Sequence, residues 1–558
     1  MTGLSGQALQ ADSARRVPGS PLPQSSPVLG DPQLAQSRTG MVTSPHTLAS
    51  EAGAKVLREG GNAIEAAIAM GAVIAVTYPH FCGLGGDAIW MIADAQGRNT
   101  VLLGLGQAAE KLPNYKEPIA PRGPQSTVVS AGAVDSWRQA YDYARAHWAG
   151  DKGEAKSFAS LLEPAILYAE RGFPVTGSQL FWTSFRENEL AGWPGFSSLF
   201  LPGGKAPKPG DLFVQKNLAQ SLKQITRHGA REFYEGELAS RIGKGLQEAG
   251  SPLTAADLAK TASRQERAVS LDYRGVTLLA PPPPTQGVTT LEIMGILNQL
   301  GFAGVEEGSA EYYHRCVEAV KQAFLDRDGI ADPDFAAADI AQRLAPSRLG
   351  SKARAIEARA MHWPHLFRTG DTVYFAATDA QGRSVSILQS TYFDWGSGVV
   401  AGDTGVLWQN RGAAFSIDPN SPNAIAPGKR PFYTLNPGLA MKRGKPHVLY
   451  GTQGADGQPQ TLTVLLTRLL DYGLDPLQAL AQPRFLLGKT FSDSRDTLKV
   501  EESVGAATAQ ELTARGHETS MISANSPLGG QAGAIVIHDD GLIEGAHDPR
   551  SDGLAIGL

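Results

Sequence analysis

GDTVYFAATDAQGRSVS, residues 370–386, is the stretch on which the reading of this chain turns. Turn residues at Ala380–Gly382 separate two runs rich in β-formers, so 373–391 reads as a strand–turn–strand hairpin. The first strand begins on a threonine, Thr372, directly behind Gly370 and Asp371. A threonine can act without a distant base if its own free α-amine accepts the hydroxyl proton. That requires a chain cut between Asp371 and Thr372. From these residues alone, Thr372 is either a strand starter or such a nucleophile.

The remaining sequence narrows the choice by exclusion. The chain has 558 residues, 42% hydrophobic and 19% charged, with a net charge of -5. A basic stripe for nucleic acid is absent from that balance. No apolar run approaches the ~18 residues of a membrane span. The first forty residues are rich in Ser, Pro, Gln and Gly without the apolar core of a secretory signal. Residues 1–38 are therefore expected to be a disordered tail and the compartment to be the cytoplasm. Two cysteines, Cys82 and Cys316, cannot build a disulfide framework.

Order is expected from about Gly40, with MVTS (41–44) as a short strand. LASEAGAKVLREGGNAIEAAIAMGAVIAV (48–76) reads as two helices broken at Gly60–Gly61, the second opened by a capping box, Asn62 with Glu65. No charge follows between Ala66 and Val76, so that helix should be buried on most sides. CGLGGD (82–87) is a tight turn into a strand. Residues 128–260 read as mainly helical, LDYRGVTLLAPPPP (271–284) as one strand, and GVTTLEIMGILNQL (287–300) as a helix. Strands and helices recur on both sides of Thr372, which suits stacked sheets covered by helices.

The commoner catalytic arrangements are missing. CGLGGD lacks the phosphate-loop spacing and no Walker lysine follows. The eleven histidines show no metal-ligand spacing, and there is no G-x-S-x-G elbow.

A set of motifs in fixed order resembles the γ-glutamyltransferase family of N-terminal nucleophile hydrolases. They are ASEAGAKVLREGGNAIEAAIA (49–69), GLGGD (83–87), APPPPTQG (280–287), EAVKQAFLDRD (318–328), GDTVYFAATDAQGRSVS, GSGVVAGDTGVLWQN (396–410), PGKRPFYTLNP (427–437), DYGLDPLQALAQPRF (471–485) and GAHDPRSDG (545–553). The resemblance spans roughly residues 40–558. It implies an α+β fold, the αββα sandwich of two stacked sheets between helical layers. It also implies a precursor that cuts itself between Asp371 and Thr372. Residues 39–371 then form the large subunit and 372–558 the small one, a heterodimer of two fragments, with a dimer of these left open. Catalysis would rest on Thr372 as nucleophile and Ser390 as its hydroxyl partner. The N–H groups of Gly454 and Ala455 would form the oxyanion hole, and no metal or organic cofactor would be needed.

The departures from the family pattern fall on substrate recognition. γ-Glutamyl enzymes hold the α-carboxylate with an Arg where this chain has Gly106, and the α-amino group with an Asp where it has Ala414. Here Arg411 replaces a neutral Gln, Tyr392 an Asn, and Tyr433–Thr434 a Ser–Ser pair. Asn410, Arg411, Tyr392, Tyr433 and Thr434 are the substrate-binding residues expected. An ammonium without its Asp partner is costly to bury, whereas a guanidinium suits a carboxylate. YPHFCGLGGDAIW and QSTYFDWGSGVVAGDTGV look closest to the oxamate amidohydrolase-like branch. The expected substrate is a small amide-acid such as oxamate, with a γ-glutamyl compound such as glutathione as the alternative.

Overall fold

The computed structural model describes residues 32–148, 156–363, 371–489 and 495–558. Two seven-stranded sheets dominate it. The first runs, in spatial order, through Ala35–Ser37, Ile543–His547, Ala532–Ile537, Lys445–Thr452, Gly438–Lys442, Val276–Ala280 and Val269–Tyr273. The second runs through Leu554–Gly557, Met41–Ser44, Asp371–Thr378, Ser384–Tyr392, Asp87–Ala93, Asn99–Gly104 and Arg264–Glu266. Neighbouring strands within both are antiparallel.

Strand alternation builds the layers. In Asp371–Thr378, Val373, Phe375 and Ala377 join an apolar cluster with the helices of residues 47–258. Their neighbours Tyr374 and Ala376 face the other way, into a cluster with Leu439, Leu449 and Ile535 of the first sheet. The outer face of that first sheet, through Leu278, Ala440 and Val448, packs on the helices Gly287–Leu300, Ala310–Phe324 and Gly457–Leu470. This is the expected αββα sandwich.

The capping box is present, and every residue of the helix Ala63–Thr77 is buried. Asp379 Oδ2 accepts from the Ala63 N–H at 3.0 Å, tying the start of that helix to the turn of the 371–392 hairpin. Cys82 and Cys316 are buried free thiols.

Two expectations need correction. Ala35–Ser37, inside the segment read as tail, pairs with Ile543–Gly545 as an edge strand; residues 1–31 lie outside the described residues. The stretch read as one strand at 271–284 is a hairpin, Val269–Tyr273 with Val276–Ala280. Arg274 and Gly275 turn it with φ of 48° and 81°, the two left-handed residues of a primed turn.

Candidate active site

The site begins at an irregularity in the hairpin. Asp371 pairs with Tyr392 and Val373 with Gln389, so Ser390 and Thr391 together oppose the single residue Thr372. A bulge of this kind re-aims side chains and bends the strand that carries the extra residue. Tyr392 closes it with a left-handed φ of 82°, a conformation costing a non-glycine residue roughly 1–2 kcal/mol. The Tyr392 N–H donates to Ser390 Oγ at 2.8 Å, which holds the bend. Ser390, expected as the hydroxyl partner of the nucleophile, thus sits in the bulge directly opposite Thr372. Gly86 makes the bulge's neighbour possible, because a Cβ there would lie 2.3 Å from the Ser390 carbonyl oxygen.

Thr372 is fully buried. Its Oγ1 accepts a long hydrogen bond, 3.4 Å, from Gln458 Nε2 at the start of the helix Gly457–Leu470. That helix is preceded by the turn Gly454–Gly457, in which Gly457 N–H donates to the Gly454 carbonyl at 2.6 Å. Ala455 sits in it at φ 47°. Among the described residues no acceptor meets the N–H of Gly454 or of Ala455.

Tyr392 leads to the charged part of the site. The Arg411 guanidinium lies against two rings, its Cζ 4.0 Å from the Tyr392 centroid and 4.4 Å from that of Tyr433. It is fully buried, and among the described residues Nε, Nη1 and Nη2 have no hydrogen-bond partner. Burial lowers its affinity for the proton, opposed by Tyr433, Asp87 and Tyr392. An unpaired buried guanidinium is costly, so a fold that keeps one is built to meet an anion.

Asp87, the last residue of GLGGD, is the carboxylate behind this arrangement. Tyr433 donates its hydroxyl to Asp87 Oδ2 at 2.9 Å, and the N–H groups of Gly106 and Gly132 reach Oδ1 at 2.8 and 2.9 Å. Burial pushes the Asp87 carboxyl up to about 6, against the pull of Arg411 and of these donors. Gly106 admits no side chain, since a Cβ would fall 1.7 Å from the Ser130 carbonyl oxygen. Ala414 packs with Tyr392 and Phe393 in an apolar cluster, so no carboxylate stands there to answer an ammonium.

Arg411, Tyr392 and Tyr433 are thus in contact, and Tyr392 pairs with the residue preceding Thr372. Thr434 is buried with an unpartnered Oγ1. Asn410, the residue before Arg411, is tied to the backbone. Its amide is engaged by backbone, accepting from the Phe393 N–H at 3.0 Å and donating to the Pro121 carbonyl at 2.6 Å, which makes it a support behind Arg411. Asp87, Gln286 and Gln458 were missed as individuals, although Asp87 and Gln286 stand inside the motifs GLGGD and APPPPTQG.

His314, Glu318 and His517 bring potential metal-ligand atoms within 4.8 Å of one another, which no sequence spacing announced. Except for His517 Nδ1, these atoms are engaged by protein. His314 Nδ1 and His517 Nε2 are 2.9 Å apart in a hydrogen bond, and Glu318 pairs with the buried Lys321 ammonium at 2.8 Å. A cation there would sit beside an ammonium without added negative charge. Among the described residues no helix is long and apolar enough to cross a membrane.

Comparison with known proteins agrees with this geometry. The chain is 43% identical to the glutathione hydrolase-like YwrD proenzyme of Bacillus subtilis, covering 93% of this chain and 98% of the relative. It is 42% identical to the oxamate amidohydrolase proenzyme of Klebsiella pneumoniae subsp. pneumoniae, covering 93% and 99%. The crystal structure of a cephalosporin acylase from Bacillus halodurans superposes with a TM-score of 0.86 at 31% identity, covering 96% of this chain and 99% of that one. The γ-glutamyltranspeptidase family model matches residues 49–558. The chain belongs to the γ-glutamyltranspeptidase family and is a hydrolase of carbon–nitrogen bonds.

Proposed function

We propose that the chain is a self-processing amidase for small amide-acids of the oxamate type, working through an acyl-threonine. Thr372 Oγ first attacks the carbonyl of Asp371, and hydrolysis of the resulting ester frees the Thr372 α-amine. The products are a large fragment ending at Asp371 and a small one beginning at Thr372, held together as a heterodimer. In turnover the amine takes the Thr372 hydroxyl proton and Oγ attacks the substrate amide carbon. The N–H groups of Gly454 and Ala455 receive the oxyanion. The C–N bond breaks, ammonia leaves with a proton returned by the amine, and water hydrolyses the acyl ester.

The observation that carries the substrate class is Arg411, whose three nitrogens are buried between two tyrosine rings without a partner. A substrate carboxylate fits it in bidentate fashion. An α-ammonium would meet no carboxylate at position 414, where Ala414 is apolar, and the Asp87 oxygens already accept from Tyr433, Gly106 and Gly132. The relatives named for oxamate and for glutathione frame the two readings. Ammonia release from oxamate, set beside aniline release from a γ-glutamyl anilide, separates them. Turnover of oxamate with little of the anilide is expected; the reverse would overturn the substrate class.

A further inference from the structure

The oxyanion turn and the substrate segment are joined by one side chain from the other fragment. Gln286 is fully buried, just before the helix Gly287–Leu300, in the chain expected to become the large subunit. Its Nε2 donates to the Thr434 carbonyl at 2.6 Å and to the Ala455 carbonyl at 2.7 Å. The backbone around it is equally committed. Gln286 N–H donates to the Tyr433 carbonyl at 3.0 Å, and Tyr433 N–H to the Pro284 carbonyl at 2.9 Å. Both amide hydrogens are thus placed on carbonyls that flank the two halves of the site, one beside Arg411's tyrosine and one in the oxyanion turn.

Ala455 needs such a hold. At φ 47° it occupies a region that favours glycine, and a residue so placed persists only where its surroundings over-determine it. Its carbonyl is fixed by Gln286 Nε2 and by the Gln458 N–H at 3.0 Å. With that peptide fixed, the preceding one, whose N–H is Ala455's own, has little freedom to rotate. Asp456, next in sequence, is held in turn by Arg327, Nη2 to Oδ2 at 2.8 Å. The large fragment therefore grips the turn at two successive residues.

We propose that Gln286 is a positioning residue for the oxyanion hole, setting the distance between the Ala455 N–H and the carboxylate grip of Arg411. This rests on the amidase reading given above. Because it acts on the transition state and leaves Arg411 untouched, its loss falls on kcat and spares KM. Misplacement by an ångström costs about 10²-fold in rate.

The test is Gln286→Met, which keeps length and removes the donor, with Gln286→Glu, which sets an acceptor against two carbonyls. Rates from oxamate are normalised to cleaved chain on a gel, and inhibition by oxalate measures the carboxylate grip separately. The expected result is a fall in kcat of about 10²-fold in both variants, with KM and the oxalate inhibition constant within about threefold of the parent. Unchanged kcat in Gln286→Met overturns the proposal, as does loss carried by KM or oxalate binding. Failure of both variants to accumulate as folded protein overturns it too, since Gln286 is then a folding residue. A parent enzyme that releases no ammonia from oxamate instead rejects the amidase reading itself.

Discussion

The guanidinium of Arg411 rests 4.0 Å from the Tyr392 ring, and Tyr392 in turn pairs with Asp371, the residue before the proposed nucleophile. A guanidinium without a hydrogen-bond partner among the described residues is thereby buried against the residue that pairs with Asp371. The arrangement is costly for folding and useful for binding, and the two consequences can be measured apart.

Arg411→Met should lose the carboxylate grip and relieve the unpaired charge together. A bidentate pair of charged hydrogen bonds is worth about 3 kcal/mol, so kcat/KM for oxamate should fall about 10²-fold, mostly through KM. Removing a buried guanidinium that makes no hydrogen bond also removes its desolvation cost, so the melting temperature should hold or rise. Steady-state kinetics and a thermal melt on the same preparation check both. A variant that loses activity and stability together would mean that Arg411 supports the fold.

Ala455→Gly should stabilise. It releases a left-handed strain of roughly 1–2 kcal/mol and adds roughly 0.4–1 kcal/mol of unfolded-state entropy. The net gain expected is about 0.5–1 kcal/mol, read as a shift of the denaturant midpoint. Turnover should fall only a few-fold, since the N–H remains. A loss of stability would contradict the strain at this position.

Restoring the γ-glutamyl pattern should not restore γ-glutamyl activity. The site for that pattern's arginine, Gly106, would put even a Cβ 1.7 Å from the Ser130 oxygen. Gly106→Ala alone should cost more than about 3 kcal/mol through backbone overlap. Gly106→Arg with Ala414→Asp should give insoluble or inactive protein when assayed with a γ-glutamyl anilide. A soluble, active double variant would show that the Gly106 segment is free to move.

Glu292 gives a stability profile with a defined sign. Burial is the main cause that pushes its carboxyl up from 4.5 to about 8, opposed by Lys352 and Arg343. A carboxyl whose folded value is raised contributes stability in full below its unfolded value and loses it as pH rises through the folded one. The loss belongs between about 4.5 and about 8. Glu292→Gln, which cannot ionise, should show a flatter dependence of unfolding free energy over that window. Identical slopes in parent and variant would place the Glu292 charge in solvent.

Much of this was legible in the sequence. The buried helix Ala63–Thr77 announced itself by eleven uncharged residues after a capping box, and the 371–392 hairpin by its turn. The hairpin at Arg274–Gly275 was hidden because its first left-handed position holds an arginine where Asn or Asp is usual. The edge strand Ala35–Ser37 was hidden because three residues in a polar context carry no periodicity and owe their form to a partner some five hundred residues away.

The candidate site divides in the same way. Thr372, Arg411, Tyr392 and Tyr433 were singled out by the motifs of the family resemblance, since side-chain type alone left Thr372 open between strand starter and nucleophile. Asp87, Gln286 and Gln458 act through contacts between distant segments, and a Gln that donates to two carbonyls looks in sequence like any other Gln. Asn410 was expected to bind substrate, and its amide meets the backbone at Phe393 and Pro121.

The central claim is that Thr372 becomes an N-terminus and the nucleophile. Intact-mass measurement and N-terminal sequencing of purified parent protein and Thr372→Ala test it most directly. The account predicts two fragments from the parent, one beginning at Thr372, and a single uncut chain of 59.0 kDa from the variant. A parent that hydrolyses oxamate as an uncut chain, or a Thr372→Ala variant that is still cut before residue 372, would contradict it.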